Sequence, residues 1–298
     1  MTAFEIGVIL PGIAVQRRDG LGLAAAARHA EDAGLDSVWH GDHLAIGAPT
    51  LDAPIALATA AAATTRVRIG ASVLVPALRP LVWAAKQIAT LQYVSGDRLV
   101  LGVGSGGGPA QWAAAGVPYA ERGPRTDTAL ALLPRLLSGE PAELPGGTAV
   151  ELAPAVPMPP VWVGNASPVA IRRTARLGDG WFPSLIGPEQ VAEGRARLGS
   201  LAAEHGRSAS TIAIGCAAAL GPGVPTRAEL AAGLAAAYSR PPAEVLDIPL
   251  TGSPEEVAER LAAYRAAGAA HAVIGVSGGD WRKQVDLLAE TRTLLNTT

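Results

Sequence analysis

The stretch TLQYVSGDRLVLGVGSGGG, residues 90–108, contains a helix end, a turn, a strand and a glycine-rich loop, in that order. Ser95-Gly96-Asp97 is typical of a turn, because glycine adopts left-handed backbone angles without steric cost. Residues 98–103 are almost continuously apolar, as strands covered on both faces are. The stretch therefore predicts a buried parallel strand that delivers a flexible loop to one end of a sheet.

The same unit recurs along the chain. Strands are predicted at 4–10, 37–40, 67–75, 98–103, 161–163, 180–182, 211–220 and 271–276, with Ala-rich helical segments between them. Near the C-terminus Ser253, Pro254 and Glu256 form a helix start with a capping box. Alternation of strands and helices predicts parallel pairing, since each helix supplies a crossover. A closed (β/α)8 TIM barrel and an open doubly wound α/β sheet both fit this pattern, and the count of eight favours the barrel.

Residues 138–160 interrupt the alternation with a Pro- and Gly-rich stretch that has no sustained periodicity. It could be a linker between two domains. The strand–helix alternation resumes unchanged after it, however, so we interpret it as a surface excursion within one domain that covers residues 1–298.

Composition excludes several classes of protein. The 298 residues are 49% hydrophobic and 17% charged, with a net charge of −2, so no basic surface for nucleic acid or an anionic membrane is expected. No apolar stretch has the length of a membrane span, and the N-terminus lacks the features of a signal peptide. The single cysteine, Cys216, lies in an apolar run and predicts a buried, inert thiol. We expect a cytoplasmic protein.

In a barrel the chemistry lies where strands end and loops begin, and three such junctions stand out. The first is Trp39-His40-Gly41-Asp42-His43, where an imidazole could donate to an anionic ring or move a proton. A hydrogen-bonded brace between Asp42 and His43 is the alternative. Metal binding is disfavoured, because no two histidines have the H-x-H or H-x-x-x-H spacing of paired metal ligands and few other candidate ligand residues are present.

The second junction, Gly102-Val103-Gly104-Ser105-Gly106-Gly107, contains the dinucleotide pattern G-x-G-x-x-G. That pattern belongs after the first strand of its domain, whereas here it follows the fourth. Exposed backbone N–H groups ahead of a helix can still bind a phosphate, and a tight turn is the alternative.

The third junction is Gly164-Asn165-Ala166-Ser167-Pro168, which starts a helix. Capping by Asn165 or Ser167 explains every residue in it, and a second anion site is the functional alternative. Two anion-binding loops and an imidazole cluster, without a metal signature, indicate a phosphate-tailed cofactor with a ring at its centre.

Several longer motifs resemble the bacterial luciferase-like family of flavin- and deazaflavin-dependent oxidoreductases. They occur in the family's order and span nearly the whole chain: AEDAGLDSVWHGDH (30–43), TRVRIGASV (65–73), TLQYVSGDRLVLGVG (90–104), PVWVG (160–164), GDGW (178–181) and TGSPEEVAERL (251–261). The resemblance implies a TIM barrel with the cofactor ring at its C-terminal mouth.

The resemblance also assigns roles to individual residues. His43 is the expected catalytic residue beside the reactive edge of the ring, and a non-proline cis peptide at Ser72–Val73 is expected to back the ring. The two glycine-containing loops are expected to hold the ribityl-phosphate tail. The expected cofactor contacts are Asp42, Ser72, Val73, Gly104, Ser105, Gly106, Gly107, Gly164, Asn165, Ala166 and Ser167.

The chain departs from the family at one place. Deazaflavin enzymes that oxidise sugar phosphates carry an acidic residue shortly after the glycines, whereas this chain has Gly107-Gly108-Pro109-Ala110. A dehydrogenase that uses such an acid is therefore disfavoured relative to a reductase or monooxygenase.

Three functions stay open. The first is a coenzyme F420-dependent oxidoreductase that transfers hydride between the deazaflavin and a small organic substrate. The second is a two-component monooxygenase that uses FMN with a separate reductase, and the third is a non-catalytic cofactor-binding protein. The resemblance also implies a homodimer. The candidates for the substrate side, each of which could equally be a packing residue, are Trp39, His40, Gln111, Trp112 and Trp181.

Overall fold

Eight parallel strands close into a barrel in the computed structural model, which describes residues 3–208 and 210–297. The pairing order is β1 (Glu5–Ile9), β2 (Ser37–His40), β3 (Arg68–Ala71), β4 (Leu99–Val103), β7 (Val161–Gly164), β8 (Gly180–Phe182), β9 (Thr211–Leu220) and β11 (His271–Val276). Strand β11 pairs with β1, which closes the ring. The predicted TIM barrel is confirmed, and the open doubly wound sheet is excluded.

Helices cover the outside of the barrel, and most of them bury apolar faces in one large core, while others pack in two smaller clusters. They are α1 (Ile13–Asp19), α2 (Leu23–Asp32), α3 (Ala53–Ala63), α4 (Leu81–Ser95), α5 (Pro109–Ala114), α6 (Arg122–Leu137), α7 (Pro168–Leu177), α8 (Pro188–Glu204), α9 (Arg227–Tyr238), α10 (Pro242–Val245), α11 (Pro254–Ala266) and α12 (Trp281–Thr297). The predicted capping box at the start of α11 is confirmed: Ser253 accepts from the Glu256 backbone N–H, and the Glu256 carboxylate accepts from that of Ser253.

The third strand is shorter than predicted. It ends at Ala71, and a cis peptide bond joins Ser72 to Val73, as the resemblance implied. Pairing resumes at Leu74, whose N–H donates to the Gly102 carbonyl at 2.8 Å. The prediction of one strand over 67–75 was therefore wrong, because a bulge divides the apolar run and apolar composition does not reveal a bulge.

The Pro- and Gly-rich excursion contains a small antiparallel hairpin, β5 (Ala142–Glu143) and β6 (Ala149–Val150). The strand before it, β4, pairs directly with the strand after it, β7, through Leu101 and Val161. Because the chain leaves and re-enters the barrel between two neighbouring strands, we propose that residues 1–298 form one domain.

Sequence patterns missed three further elements, α1, the four-residue helix α10 and β10 (Leu250–Gly252). None of the α1 residues is buried, so the helix has no clear apolar face. Strand β10 pairs with the last three residues of β9, which extend past the short strand β8. Its three residues are too few to show a periodicity.

A buried network of hydrogen-bonded side chains lies inside the barrel, at the end where the strands begin. The Trp39 indole N–H donates to Ser37 Oγ at 2.7 Å, and that oxygen lies 3.0 Å from His271 Nε2. The other ring nitrogen of His271 lies 2.9 Å from Glu5 Oε2, and Arg68 also hydrogen-bonds to Glu5. This network gives the polar groups in the barrel interior hydrogen-bond partners, without which their burial would cost free energy.

This buried hydrogen-bond network makes the free energy of unfolding depend on pH. Burial lowers the pKa of His271, although its contact with Glu5 opposes that shift. Burial opposes ionisation of Glu5, but hydrogen bonds and charge from His271 and Arg68 hold its pKa below the usual value. Both groups have a lower pKa in the folded state, so both contributions are present at neutral pH and are lost as the pH falls.

We expect the melting temperature to fall as the pH is lowered from about 6.5, the usual pKa of histidine, with a further loss below about 4.5. His271→Asn should remove the part of the first phase that His271 contributes, with a slope of at most about 1.4 kcal/mol per pH unit, whereas His40, whose pKa is also lowered by burial, should keep its own part. The control is His205→Asn at an exposed histidine. Thermal denaturation at several pH values tests this, and an unchanged profile in His271→Asn would contradict it.

Candidate active site at the barrel mouth

The barrel interior has an aromatic floor below a layer of small residues. Trp39 and Trp162 are stacked with their ring centroids 5.4 Å apart, and Phe182 packs against both. Side chains two positions apart in a strand point to the same side, so the next inward-facing positions lie one layer closer to the C-terminal mouth. In seven of the eight strands these positions hold Gly41, Ser72, Gly102, Gly164, Ser184, Gly215 and Gly275.

Because the residues at this level are small, the mouth contains no bulky side chains from these seven positions. Trp39 lies in the layer below, where it is 0% exposed and fills the space beside Gly7 and Gly70. We therefore assign Trp39 to the floor of the barrel and no longer propose it as a substrate contact.

The bulge after β3 places the Val73 side chain among three glycines. A Cβ added to Gly104 would lie 2.5 Å from Val73 Cγ2, and one added to Gly164 would lie 3.0 Å from Val73 Cγ1. A Cβ on Gly102 would lie 2.0 Å from the Ala71 carbonyl oxygen. The glycines at 102, 104 and 164 thus make room for the bulge, a role that the sequence alone did not indicate.

His43 lies beside this bulge. A Cβ built on Gly41 would lie 3.2 Å from His43 Nε2 and 3.4 Å from the Ser72 carbonyl oxygen, so both atoms flank one point at the mouth. The His43 side chain is exposed, whereas His40 is buried with its Nδ1 2.8 Å from the Gly41 carbonyl. Burial lowers the pKa of His40, which favours its neutral form. His43 is thus the accessible imidazole of the pair.

The loop that carries His43 is held by Asp42. Both carboxylate oxygens of Asp42 accept from Arg79, at 2.6 and 2.7 Å, and one also accepts from the Val75 N–H at 2.9 Å. The Asp42 side chain is 5% exposed and that of Arg79 is 18% exposed, and the hydrogen bonds to Asp42 raise the pKa of Arg79. The predicted brace exists, but its partner is Arg79 rather than His43.

The glycine-rich loop after β4 is anchored by Ser105, whose Oγ accepts from Arg173 Nη1 at 2.9 Å. Within the described residues, no hydrogen bond is made by the backbone N–H groups of Ser105, Gly106 and Gly107. Gly106 has a φ of 63°, in the left-handed region that favours glycine. The loop thus presents several free donors at the mouth.

The loop after β7 is mainly structural. Ser167 caps α7 by accepting from the Ala170 N–H at 3.3 Å, and Asn165 Oδ1 accepts from the Ser167 N–H at 2.8 Å. The Asn165 carbonyl accepts from the Trp181 indole at 2.9 Å, and Trp181 is 1% exposed against α8. We therefore assign Trp181 to packing and to the support of this loop.

Gln111 joins two of the loops. Its side-chain oxygen accepts from the Leu44 N–H at 2.9 Å, and its amide donates to the Gly107 carbonyl at 3.3 Å. Trp112, the next residue, is 0% exposed and packs with Val75, which makes it a packing residue rather than a surface contact. Of the five candidates for the substrate side, Gln111 is the one that is partly exposed, whereas His40 and the three tryptophans are buried.

These features fit a flavin-type cofactor with a phosphate tail. The Ser72 hydroxyl and the Trp112 indole N–H are both buried without a hydrogen-bond partner in the described part of the chain. Together with the free N–H groups of the glycine-rich loop, the Ser72 hydroxyl offers a hydrogen bond to a polar ligand beside an apolar bulge, whereas the Trp112 indole lies beneath Gly106 on the protein side.

The comparison with known families agrees with this geometry. A family model described as luciferase-like monooxygenase matches residues 16–247. The chain belongs to this family. The resemblance drawn from the sequence motifs is thus confirmed.

Relatives of this luciferase-like protein include an uncharacterised protein of Mycobacterium tuberculosis, 33% identical over 168 residues, which are 54% of this chain and 58% of that one. An F420-dependent glucose-6-phosphate dehydrogenase of Beutenbergia cavernae is 39% identical over 168 residues, 51% of this chain and 49% of that one. The chain thus spans only about half the length of the curated relatives that it matches.

Solved structures share the fold at low sequence identity. An F420-dependent secondary alcohol dehydrogenase in complex with an F420–acetone adduct has a TM-score of 0.84 at 18% identity, with 99% of both chains covered. The oxygenating constituent of 3,6-diketocamphane monooxygenase from Pseudomonas putida, in complex with FMN, has a TM-score of 0.74 at 17% identity, with 99% of this chain and 97% of that chain covered. Both support the fold of the luciferase-like protein.

Sequence patterns did not indicate two arginines of this luciferase-like site. Arg79 holds Asp42, and Arg173 joins the glycine-rich loop to Asp127 in α6 while itself being 7% exposed. Both lie in or just before helices, where an arginine ordinarily indicates a solvated face. The position of Arg173 six residues beyond the Ser167 cap gave no signal of its contact with Ser105.

The two central glycines of the loop should respond differently to substitution. A Cβ on Gly106 would point into the protein, 3.0 Å from Val75 and 3.2 Å from Trp112, whereas one on Gly107 would meet no atom within 4 Å. Gly106→Val should therefore lower the melting temperature, since valine resists a left-handed backbone. Gly107→Val should keep the melting temperature and weaken cofactor binding about tenfold or more, the equivalent of one charge-assisted hydrogen bond.

Thermal denaturation and cofactor titration of both variants measure the two effects. Unchanged affinity in Gly107→Val would mean that the loop is only a turn. The sequence-based expectation that a side chain at position 106 would occupy the approach of the phosphate does not fit the direction of its Cβ, although the Gly106 N–H stays free in the loop.

None of the helices in the described part of the chain has the length and apolar character to cross a membrane. The same residues include no group of three or more His, Cys, Asp or Glu side chains arranged for a metal ion. Burial raises the pKa of the Cys216 thiol to about 12, which fits an unreactive cysteine rather than a nucleophile.

Proposed function

We propose that the protein is a coenzyme F420-dependent oxidoreductase with His43 as its catalytic residue. The observation that carries the proposal is the position of His43 Nε2 beside the Ser72 carbonyl, at the bulge formed by Ser72 and Val73. A proton-transfer group thus lies next to the support on which a deazaflavin ring would rest. When bound, the reduced deazaflavin supplies a hydride to an organic acceptor.

The surrounding residues have distinct tasks in this proposal. The backbone N–H groups of residues 105–107 would bind the phosphate, and Arg173 holds their loop in place. The pair of Asp42 and Arg79 fixes the loop that carries His43. His43 Nε2 would donate a proton to the reduced product or accept one from the substrate in the reverse direction.

A reductase is favoured over a sugar-phosphate dehydrogenase. Relatives named as F420-dependent glucose-6-phosphate dehydrogenases support the cofactor. The segment after the glycines, residues 107–118, contains no carboxylate, so this chain lacks an acidic partner for His43 there. We propose hydride transfer to the substrate as the physiological direction.

An FMN-dependent monooxygenase with a separate reductase is the second candidate. It is supported by a relative named 4-hydroxyprotoasukamycin monooxygenase from Streptomyces nodosus, which is 34% identical over 109 residues, 36% of this chain. The two candidates differ in one property: reduced FMN reacts readily with oxygen, whereas a reduced deazaflavin does not.

Fluorescence titration of the purified protein with coenzyme F420 and, separately, with FMN tests the proposal. Micromolar or tighter binding of F420 alone would support it. Preference for FMN would favour the monooxygenase, and binding of neither would remove both candidates.

We further propose that the protein is a cytoplasmic homodimer. Neighbouring helices α3 and α4 expose Ile55 and Trp83, which have 71% and 67% of their surface accessible in the single chain. Large apolar side chains exposed on adjoining helices are typical of a contact with another protein. Analytical ultracentrifugation measures the mass of the particle, and a monomer at micromolar concentration would contradict the proposal.

A further inference from the structure

A cavity lies at the barrel mouth, across the barrel from the glycine-rich loop. It has a volume of about 590 Å³ and lies between the ends of β9 and β11 and helix α9. Ala217 of β9 lies four residues beyond Ala213, which packs in the barrel interior, so by the two-residue period both face inward. Ser277 has the same relation to Val273 on β11. The cavity therefore opens onto the top of the barrel.

The walls of the cavity are largely apolar. Val224 and Pro225 come from the loop after β9, and Leu230 and Leu234 come from α9. Ser277 contributes the one side-chain hydroxyl among the described residues that line it. Such walls favour an apolar molecule that carries a single hydrogen-bonding group.

The charges around the cavity disfavour a phosphorylated or carboxylated ligand. Glu229 is the one charged residue among the described lining residues, and its carboxylate already accepts from the Thr226 N–H and hydroxyl, both at 2.8 Å. The nearby Arg227 donates to the Thr251 hydroxyl at 3.3 Å, and Arg18 pairs with Asp19. An anion in the cavity would meet a carboxylate and no lining cation, which is unfavourable.

We infer that this cavity is the substrate site, and that its substrate is an uncharged, mainly apolar carbonyl compound or alcohol that hydrogen-bonds to Ser277. The inference rests on the proposed oxidoreductase function for its chemistry, but the preference for uncharged ligands follows from the lining alone. A sugar phosphate is disfavoured as substrate on the same ground.

Two matched ligands test the preference: 2-acetylnaphthalene, which is uncharged, and 6-acetyl-2-naphthoate, which has the same ring system and a carboxylate. Quenching of tryptophan fluorescence in the full-length protein measures their binding. We expect the uncharged ligand to bind about tenfold or more tightly than the carboxylate. Equal binding, or binding of neither ligand, would overturn the inference.

Gly233 allows the site to be located. It lies in α9 and lines the cavity, and a Cβ added to it would meet no atom within 4 Å. Gly233→Leu should occupy the cavity and weaken binding of 2-acetylnaphthalene about fivefold or more, without loss of stability, because glycine is unfavourable within a helix. Gly233→Lys should instead strengthen binding of the carboxylate.

Gly199→Leu is the matched control. Gly199 also lies in a helix with no atom within 4 Å of an added Cβ, but it lines a separate groove of about 420 Å³ between α8 and α11. Equal effects of the two leucine variants would overturn the inference. Titration of the same samples with F420 separates the two claims: F420 binding without selective ligand binding refutes only the cavity, and selective ligand binding without F420 binding refutes only the proposed function.

Discussion

His43→Ala is expected to lower turnover by about 10²- to 10⁴-fold, the usual contribution of a positioned proton-transfer group. The side chain is exposed and makes no hydrogen bond through its ring in the described structure, so its removal should leave the fold intact. Cofactor affinity should change only modestly, because the phosphate would be bound by the separate glycine-rich loop. Rates of cofactor oxidation, with an acceptor found by screening the wild-type protein, provide the measurement.

The control for this variant is His205→Ala, which removes another exposed histidine at the end of α8. Its turnover should equal that of the wild type. His43→Gln tests whether hydrogen bonding alone suffices, since glutamine can donate a hydrogen bond but cannot supply a proton at neutral pH. Full activity of His43→Ala would remove His43 from the mechanism.

Asp42→Ala is expected to reduce the free energy of unfolding by about 3–5 kcal/mol, the usual cost when one partner of a buried ion pair is removed. The substitution leaves the Arg79 guanidinium with only the more distant Asp52 carboxylate, at 3.9 Å, and the Val75 N–H without an acceptor. Because both partners support the bulge and the loop of His43, cofactor affinity should fall as well. Chemical denaturation and cofactor titration measure the two effects.

The double variant Asp42→Ala/Arg79→Met provides a strong test. It removes both charges and should recover part of the lost stability, because no uncompensated charge stays buried. The exposed pair of Arg240 and Glu244 is the matched control, and Glu244→Ala there should cost less than about 0.5 kcal/mol. A loss of similar size in Glu244→Ala and Asp42→Ala would contradict the assignment.

The sequence by itself determined most of the strands and helices and their alternation, which left a closed barrel and an open sheet both possible. Apolar runs, helix caps and turn residues act within a few positions of one another, so the strands at 37–40 and 211–220 and the capping box at Ser253 follow from local chemistry. The motifs also determined the family, since their residues and order can be read without coordinates.

Only the tertiary structure decided which side chains meet. Asp42 and Arg79 are 37 positions apart, Ser105 and Arg173 are 68 apart, and Glu5 and His271 are 266 apart. No local pattern encodes such pairs, because they depend on how strands and helices close into a barrel. Three tryptophans that the sequence offered as substrate contacts became packing residues for the same reason: burial is a property of the closed barrel and not of the motif around each residue.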